Sequence, residues 1–135
     1  MSRNSVDLKS AIKKIQKLKK QFYTDLLIPG DQFSFNEPLA KALRVADFME
    51  LGELFALDAL KRNESCGGHF REEYQTKEGE ALRNDDEYAF VSAWEYDKII
   101  ENSILHKEKL TFNNVELKNR SYKSVSYTHL TLPTI

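Results

Sequence analysis

The sequence predicts an α+β fold, mainly α, in which two long antiparallel helices precede an extended segment with a small antiparallel strand pair. Three observations predict it: apolar residues recur at helical spacing in the first half, a Pro-Gly pair interrupts that periodicity, and an aromatic-rich run follows near residue 90. The 135 residues suffice for one domain of ordinary size. We divide the chain into a helical hairpin at 1–73, an extended segment at 74–123 and a non-native tail at 124–135.

The first helix is amphipathic. Asn4 or Ser5 is a plausible N-cap, and one face carries apolar residues at steps of three and four, namely Leu8, Ala11, Ile12, Ile15, Leu18, Phe22 and Leu26. Another face carries the lysine stripe, Lys9, Lys13, Lys17 and Lys20. Pro29 and Gly30 end the element with a turn.

The second helix begins after a cap at Asn36, with Pro38 in its first turn, and runs to about residue 62. Apolar residues cover most of its circumference, so it needs neighbours on several sides, and the first helix can cover only one flank. Gly52 in its middle costs about 1 kcal/mol relative to alanine. We therefore expect another backbone to approach closely at Gly52.

The extended segment is predicted in three parts. Residues 74–87 are polar and predict an irregular surface segment, whereas the run YAFVSAWEY at 88–96 is rich in aromatics and predicts a strand. A second strand is predicted at 109–117, paired antiparallel with the first across a connection too long for a tight turn. Residues 124–135 contain no charged residue, and this break in composition predicts the non-native tail.

Composition excludes several functional classes. Charged residues make up 30% of the chain and the formal net charge is -1, so neither a disordered chain nor a globally basic nucleic-acid binder is predicted. A single cysteine cannot form an internal disulfide, and no signal-peptide pattern opens the chain, which indicates an intracellular protein. The most apolar run, 51–60, is interrupted by two carboxylates and is far shorter than the roughly 20 residues of a membrane span.

The run RNESCGGHFREE at 62–73 concentrates the polar residues that could carry chemistry. Cys66 and His69 could supply two zinc ligands, but a structural site needs four, so we predict no metal site. A cysteine nucleophile activated by His69 is a minority interpretation, because residues three apart in a turn rarely align as nucleophile and base. Gly67 and Gly68 could cradle an anion, although a C-terminal cap of the second helix is the simpler interpretation.

The charges of the same run leave two interpretations open, a solvated loop or an ionic lock against a second domain. The lysine stripe is typical of a solvated helix face, and no dinucleotide, P-loop, zinc-protease or nucleophile-elbow motif occurs. The residues by themselves therefore predict a helical-hairpin module without a self-sufficient active site. No catalytic residue is assigned within this chain.

Three stretches carry a family resemblance: LRVADFMELGELFALDALKRNESCGGHFREE, EGEALRNDDEYAFVSAWEY and ILHKEKLTFNNVELKNRSYK. They resemble the C-terminal region of the flavoprotein subunit of succinate dehydrogenase and fumarate reductase, most of all the Bacteroidetes-type form, over about residues 3–123. The common family pattern R-x-E-S-R-G-x-H-x-R is occupied here by Arg62, Glu64, Ser65, Gly67, His69 and Arg71. Cys66 stands where many members have arginine.

The resemblance implies a truncated piece of a larger subunit. The parent would transfer hydride between FAD and the succinate/fumarate pair, and FAD would be held by upstream domains rather than by this piece. The implied partners are the flavin-binding domain, the iron-sulfur subunit and, indirectly, a membrane quinone-reactive subunit. The implied location is cytoplasmic, at the inner face of the cytoplasmic membrane, with the loop at 62–71 as an interdomain contact. The competing interpretation is a free-standing helical interaction module that uses its lysine-rich face.

Overall fold

A computed structural model describes residues 2–31 and 35–118. Along these residues the elements are β1 (Ser2–Arg3), α1 (Ser5–Asp25), α2 (Glu37–Lys61), β2 (Phe70–Arg71), α3 (Asp85–Tyr88), β3 (Phe90–Glu95), a 3₁₀ turn (Ile100–Asn102) and β4 (Ile104–Lys109). The predicted fold class is confirmed: two long helices dominate, and a small antiparallel strand pair follows. The predicted tail at 124–135 lies outside the described residues.

Both long helices start at side-chain caps that the sequence predicts. Asn4 Oδ1 accepts a hydrogen bond from the backbone N–H of Asp7 at 2.8 Å, and Asn36 Oδ1 accepts one from Leu39 at 3.0 Å. Each cap satisfies one of the N–H groups that the first helical turn leaves without a partner. Pro38 lies within the first turn of α2, where a missing N–H does no harm.

The two helices form an antiparallel hairpin joined by a cross-helix ion pair. Lys19 Nζ on α1 lies 3.0 Å from Glu53 Oε2 on α2, and the Glu53 residue is only 3% exposed. A buried carboxylate is costly without a partner, so this pair favours one alignment of the two helices. Leu8, near the start of α1, is the buried apolar residue of that helix.

α1 covers only one flank of α2, as predicted. Six large apolar side chains of α2 remain 41–67% exposed: Leu39, Leu43, Val45, Phe48, Leu51 and Phe55. The close approach expected at Gly52 is not made by the described residues, because no atom outside the helix's own backbone lies within 4 Å of where its Cβ would be. These six side chains are spread around roughly two-thirds of the helix circumference, and we call them together the α2 apolar face.

The first strand of the predicted pair is confirmed and the second is misplaced. β3 lies within the predicted 88–96, but β4 spans Ile104–Lys109 and shares only its last residue with the predicted 109–117. The register places Trp94 opposite Leu105 and Val91 opposite Glu108. Charged residues occupy much of β4 and hide its alternation. The apolar residues near 110–117 follow the strand, and Leu110, the first of them, donates its backbone N–H to the carbonyl of Ala89 at 2.9 Å.

One pairing has no counterpart in the sequence prediction. The two-residue strand β1 pairs in parallel with β2, Ser2 with Phe70 and Arg3 with Arg71. This pairing holds the beginning of α1 close to the end of α2, at the end of the helical hairpin opposite the α1–α2 connection. None of the helices in the described residues is both long enough and apolar enough to span a membrane.

Candidate functional site

The loop at 62–73 follows α2 directly and folds into a tight hairpin. The backbone N–H of Cys66 donates to the carbonyl of His69 at 2.8 Å, and the N–H of His69 donates back at 3.0 Å. Gly67 has φ +57° at the first central position, while Gly68 is not in the positive-φ region, which is the pattern of a type II′ turn. We call residues 66–69 the glycine hairpin.

The glycines do not cap α2, so that simpler interpretation of the pair is wrong. The C-cap is Arg62, whose backbone is extended at φ -87° and whose N–H donates to the carbonyl of Asp58 at 3.0 Å. An extended C-cap needs no left-handed residue. The positive-φ residue Gly67 instead lies in the glycine hairpin, which begins four residues after Arg62.

Arg71 reaches from β2 back to the carboxyl end of α2. Its Nη1 donates to the carbonyl of Ala59 at 2.8 Å and to that of Leu60 at 3.3 Å, and its Nε donates to Glu73 Oε2 at 3.1 Å. The residue is 2% exposed. A buried guanidinium at this position satisfies carbonyls that the last helical turn leaves open and complements the negative end of the helix dipole.

Ser65 joins the loop to its neighbours and is fully buried. Its Oγ accepts from the backbone N–H of Arg71 at 2.8 Å and lies 3.2 Å from the carbonyl of the same residue, to which the hydroxyl donates. Its own N–H donates to the carbonyl of Leu82 at 2.8 Å. A hydroxyl that both accepts and donates can serve one residue's N–H and C=O together.

Glu64 and Arg62 form a second buried ionic contact. Glu64 is 2% exposed, and its Oε1 accepts from the Arg62 guanidinium at 2.7–2.8 Å while its Oε2 accepts from the backbone N–H of Asn84 at 3.0 Å. Arg62 also donates to the carbonyl of Tyr88 at 2.7 Å and stacks over the rings of Tyr88 and Phe90. The pair therefore attaches the extended segment to the end of α2.

His69 is held at both ring nitrogens. Nε2 lies 3.1 Å from the carbonyl of Arg62, and because a carbonyl can only accept, Nε2 carries the proton. Nδ1 is then an acceptor, and Arg3 Nη1 donates to it at 3.1 Å. Partial burial lowers the pKa of His69, the hydrogen bond to the Arg62 carbonyl acts in the opposite direction, and the guanidinium groups of Arg3, Arg71 and Arg62 lower the pKa further, so the neutral ring is favoured at pH 7.

The start of α1 is bound to the same loop. The N–H of Glu72 donates to the carbonyl of Arg3 at 2.8 Å, and the side chain of Asn4 donates to Glu72 Oε2 at 3.3 Å. Hydrogen bonds from Ser5 and from Arg71 lower the pKa of Glu73 to about 2. The contacts made by Arg3, Asn4 and Ser5 join residues more than sixty positions apart, so no local sequence signal could have predicted them.

The positions of Cys66 and His69 can be compared with the two reactive roles considered for them, as zinc ligands or as a cysteine nucleophile with its base. Within residues 2–31 and 35–118, no group of three or more histidine, cysteine or acidic side chains is placed to hold a metal ion. Both nitrogens of His69 are engaged in hydrogen bonds, so the ring has no free nitrogen with which to activate the Cys66 thiol. The nucleophile interpretation therefore has no support in this geometry.

Five of the six residues singled out by the sequence, Arg62, Glu64, Ser65, His69 and Arg71, belong to one continuous hydrogen-bonded cluster. The sixth, Gly67, lies at the exposed tip of the glycine hairpin. Arg3, Glu73 and Asn84 complete the cluster and were not predicted. Every buried side-chain nitrogen and oxygen among the described residues has a partner, so the cluster serves to close the end of the helical hairpin.

This helical hairpin, closed by the ionic cluster and followed by a small strand pair, is the C-terminal domain of a flavoprotein, as the family comparison shows. Residues 1–122 match the family model described as fumarate reductase flavoprotein C-term. The chain belongs to that family, and it represents the C-terminal domain of a succinate dehydrogenase/fumarate reductase flavoprotein. The predicted family resemblance is thereby confirmed.

A solved structure gives the same fold. The chain is similar to the FrdA subunit of E. coli quinol fumarate reductase, solved as a point mutant, with a TM-score of 0.74 and 21% sequence identity over 93% of this chain. The chain spans 20% of that subunit's length. No curated protein sequence matched.

The described part of this chain contains no dinucleotide-binding unit for the flavin that the family name implies. A bound dinucleotide is normally held by a strand–turn–helix unit of a parallel sheet, with its pyrophosphate at the helix N-terminus. The one parallel pairing among the described residues joins two strands of two residues each.

Proposed function

We propose that this chain packs against the flavin-binding domain of its parent subunit and contributes to the contact with the iron-sulfur subunit. In the proposal the parent holds FAD and transfers hydride between it and the succinate/fumarate pair. The observation that carries the proposal is the α2 apolar face, which lies on a domain whose polar loop is internally satisfied. Exposed apolar patches of this kind mark surfaces that are covered in the functional assembly.

The two parts of the domain would then have separate tasks. The ionic cluster holds α1, α2 and the extended segment together, and the α2 apolar face supplies the docking energy. Burying a fully exposed large apolar side chain contributes about 1.5–3 kcal/mol, so covering several of these partly exposed side chains would favour an interdomain contact. A membrane quinone-reactive subunit would be reached only through the iron-sulfur subunit, and the location at the inner face of the cytoplasmic membrane belongs to the same proposal.

A matched pair of substitutions in the intact flavoprotein subunit tests the docking face. Phe55 is 67% exposed on α2 and Val6 is 74% exposed on α1, so Phe55→Gln and Val6→Gln change side chains of similar exposure on different helices. We expect Phe55→Gln to lower bound flavin and succinate oxidation, and Val6→Gln to leave both unchanged. Equal behaviour of the two variants would contradict the proposal and favour the free-standing interaction module.

The glycine hairpin offers a second test, of the interdomain position proposed for the loop at 62–71. A Cβ built on Gly68 meets no atom within 4 Å, and the residue is not at positive φ, so the isolated chain should tolerate Gly68→Gln. If the hairpin tip lies against the flavin domain, the same substitution in the intact subunit should lower flavin content. Normal flavin content would show that the tip faces solvent.

A further inference from the structure

The amino-terminal strand is held by an unusual contact, a guanidinium bound to an imidazole. Arg3 Nη1 donates to His69 Nδ1 at 3.1 Å, and Arg3 makes no ion pair with a carboxylate among the described residues. The neighbouring backbone bond, from the N–H of Glu72 to the carbonyl of Arg3 at 2.8 Å, completes the attachment of β1 to β2. The bond between Arg3 and His69 therefore requires that Nδ1 carry no proton.

The other ring nitrogen cannot exchange roles with Nδ1. Nε2 faces the carbonyl of Arg62, which accepts and cannot donate, so the proton stays on Nε2 and a second proton can only go to Nδ1. Protonation would then place an N–H opposite the N–H of Arg3. It would remove the acceptor and set two positive groups in contact.

The charged groups around His69 oppose its protonation from every side. Arg3 faces it from β1, Arg62 from the end of α2 and Arg71 from β2. The nearby carboxylates are engaged elsewhere: Glu64 by Arg62 and Asn84, Glu73 by Arg71 and Ser5, and Glu72 by Asn4. An imidazolium at this position would have three guanidinium neighbours and no carboxylate of its own.

We propose that His69 is an acid-sensitive latch: protonation of its Nδ1 releases Arg3 and unpairs β1 from β2, while the hairpin of α1 and α2 stays folded. The hairpin persists because the contacts of Arg71, Glu64 and Lys19 do not involve the imidazole. The lowered pKa of His69 keeps the latch closed at neutral pH. This proposal concerns the chain alone and does not depend on the proposed function.

The direction of the effect follows from proton linkage. The released state binds a proton on His69 more readily than the latched state, so acidification favours release. Below the ordinary histidine pKa of about 6.5, the ratio of released to latched chains should rise by up to tenfold per pH unit until the latched ring also titrates.

The experiment is a pH titration of the full chain by NMR between about pH 8 and pH 5. The reporters are the His69 imidazole and the backbone N–H of Glu72, with N–H groups of α2 as the reference for global unfolding. We expect the Glu72 signal to lose its hydrogen-bonded shift with the same midpoint as the imidazole, below about 6.5, while α2 signals stay in place.

Two variants make the result decisive. His69→Gln offers an amide N–H toward Arg62 and a carbonyl toward Arg3 but cannot take up a proton, so its Glu72 signal should not titrate. Arg3→Gln removes one facing cation, so the midpoint of His69 should rise toward 6.5. The proposal is overturned if the wild-type Glu72 signal stays constant over this range, if it titrates equally in His69→Gln, or if Arg3→Gln leaves the His69 midpoint unchanged.

Discussion

Replacing Arg71 with alanine should destabilise the isolated chain strongly although the residue lies outside both long helices. The guanidinium is buried and bonds the carbonyl of Ala59 at 2.8 Å, so alanine leaves that carbonyl without its donor in a site closed to water. It also removes the contact with the ring of Tyr74, whose centroid lies 5.5 Å from the guanidinium carbon.

The expected loss in the free energy of unfolding follows from these contacts. A hydrogen bond from a charged donor contributes about 1.5–3 kcal/mol, and a cation–π contact contributes about 0.5–1 kcal/mol. The pair with Glu73 adds little, because that side chain is 36% exposed and solvent screens the interaction. We therefore expect Arg71→Ala to lower the free energy of unfolding by about 2–4 kcal/mol.

Urea denaturation of the isolated chain measures the effect, with Arg44→Ala as the matched control. Arg44 lies exposed on α2 with no ion pair among the described residues, so its loss should change the free energy of unfolding by less than about 0.5 kcal/mol. Arg71→Lys should fall between the two, since lysine keeps the charge but not the planar fork. An Arg71→Ala variant as stable as the Arg44 control would refute the assignment of Arg71 as the closure of α2.

Three further predictions address other contacts. Lys19→Met should cost about 3 kcal/mol in urea denaturation because Glu53 stays buried and charged, and adding Glu53→Leu should recover most of that loss; failure to recover would refute the pairing argument. The folded-state pKa of Glu73, about 2, lies below the unfolded value of 4.5, so its contribution to stability is present above pH 4.5 and is lost as pH falls through about 2. Glu73→Gln should accordingly flatten the decline of the melting temperature in that window, and an unchanged decline would contradict the assignment. Gly67→Ala should cost about 1–2 kcal/mol because φ is +57°, whereas Gly68→Ala should cost less than about 0.5 kcal/mol in the same urea assay, and equal losses would refute the turn assignment.

The helices could be predicted from sequence because their signals are local. The caps at Asn4 and Asn36 and the spacing of apolar residues each act within a few positions, and the structure reproduces both helix starts. β4 was misplaced because a strand exposed on both faces has no apolar alternation to reveal it, and its burial pattern leaves only one of six residues half-buried. Pairing with β3, not composition, decides where such a strand lies.

The ionic cluster could be predicted only as a list of residues. The run at 62–73 shows that opposite charges are concentrated, but not which carboxylate each arginine binds or that Arg71 turns back toward α2. Two further contacts of the cluster, Arg3 with His69 and Asn84 with Glu64, come from distant parts of the chain. Periodicity carries no signal for contacts of this range.

The distribution of charge also explains why an apolar face would be the docking surface of this domain. A contact built on buried ion pairs gains little over one built on apolar packing, because each charge must first leave water. Here the buried charges of Arg71 and Glu64 are matched within the chain, so a partner would not have to desolvate or complement them. What α2 presents instead is apolar area, which stabilises a contact in proportion to the surface removed from water. Phe55, the most exposed apolar side chain of α2, is therefore the position at which substitution should separate folding of this domain from its assembly.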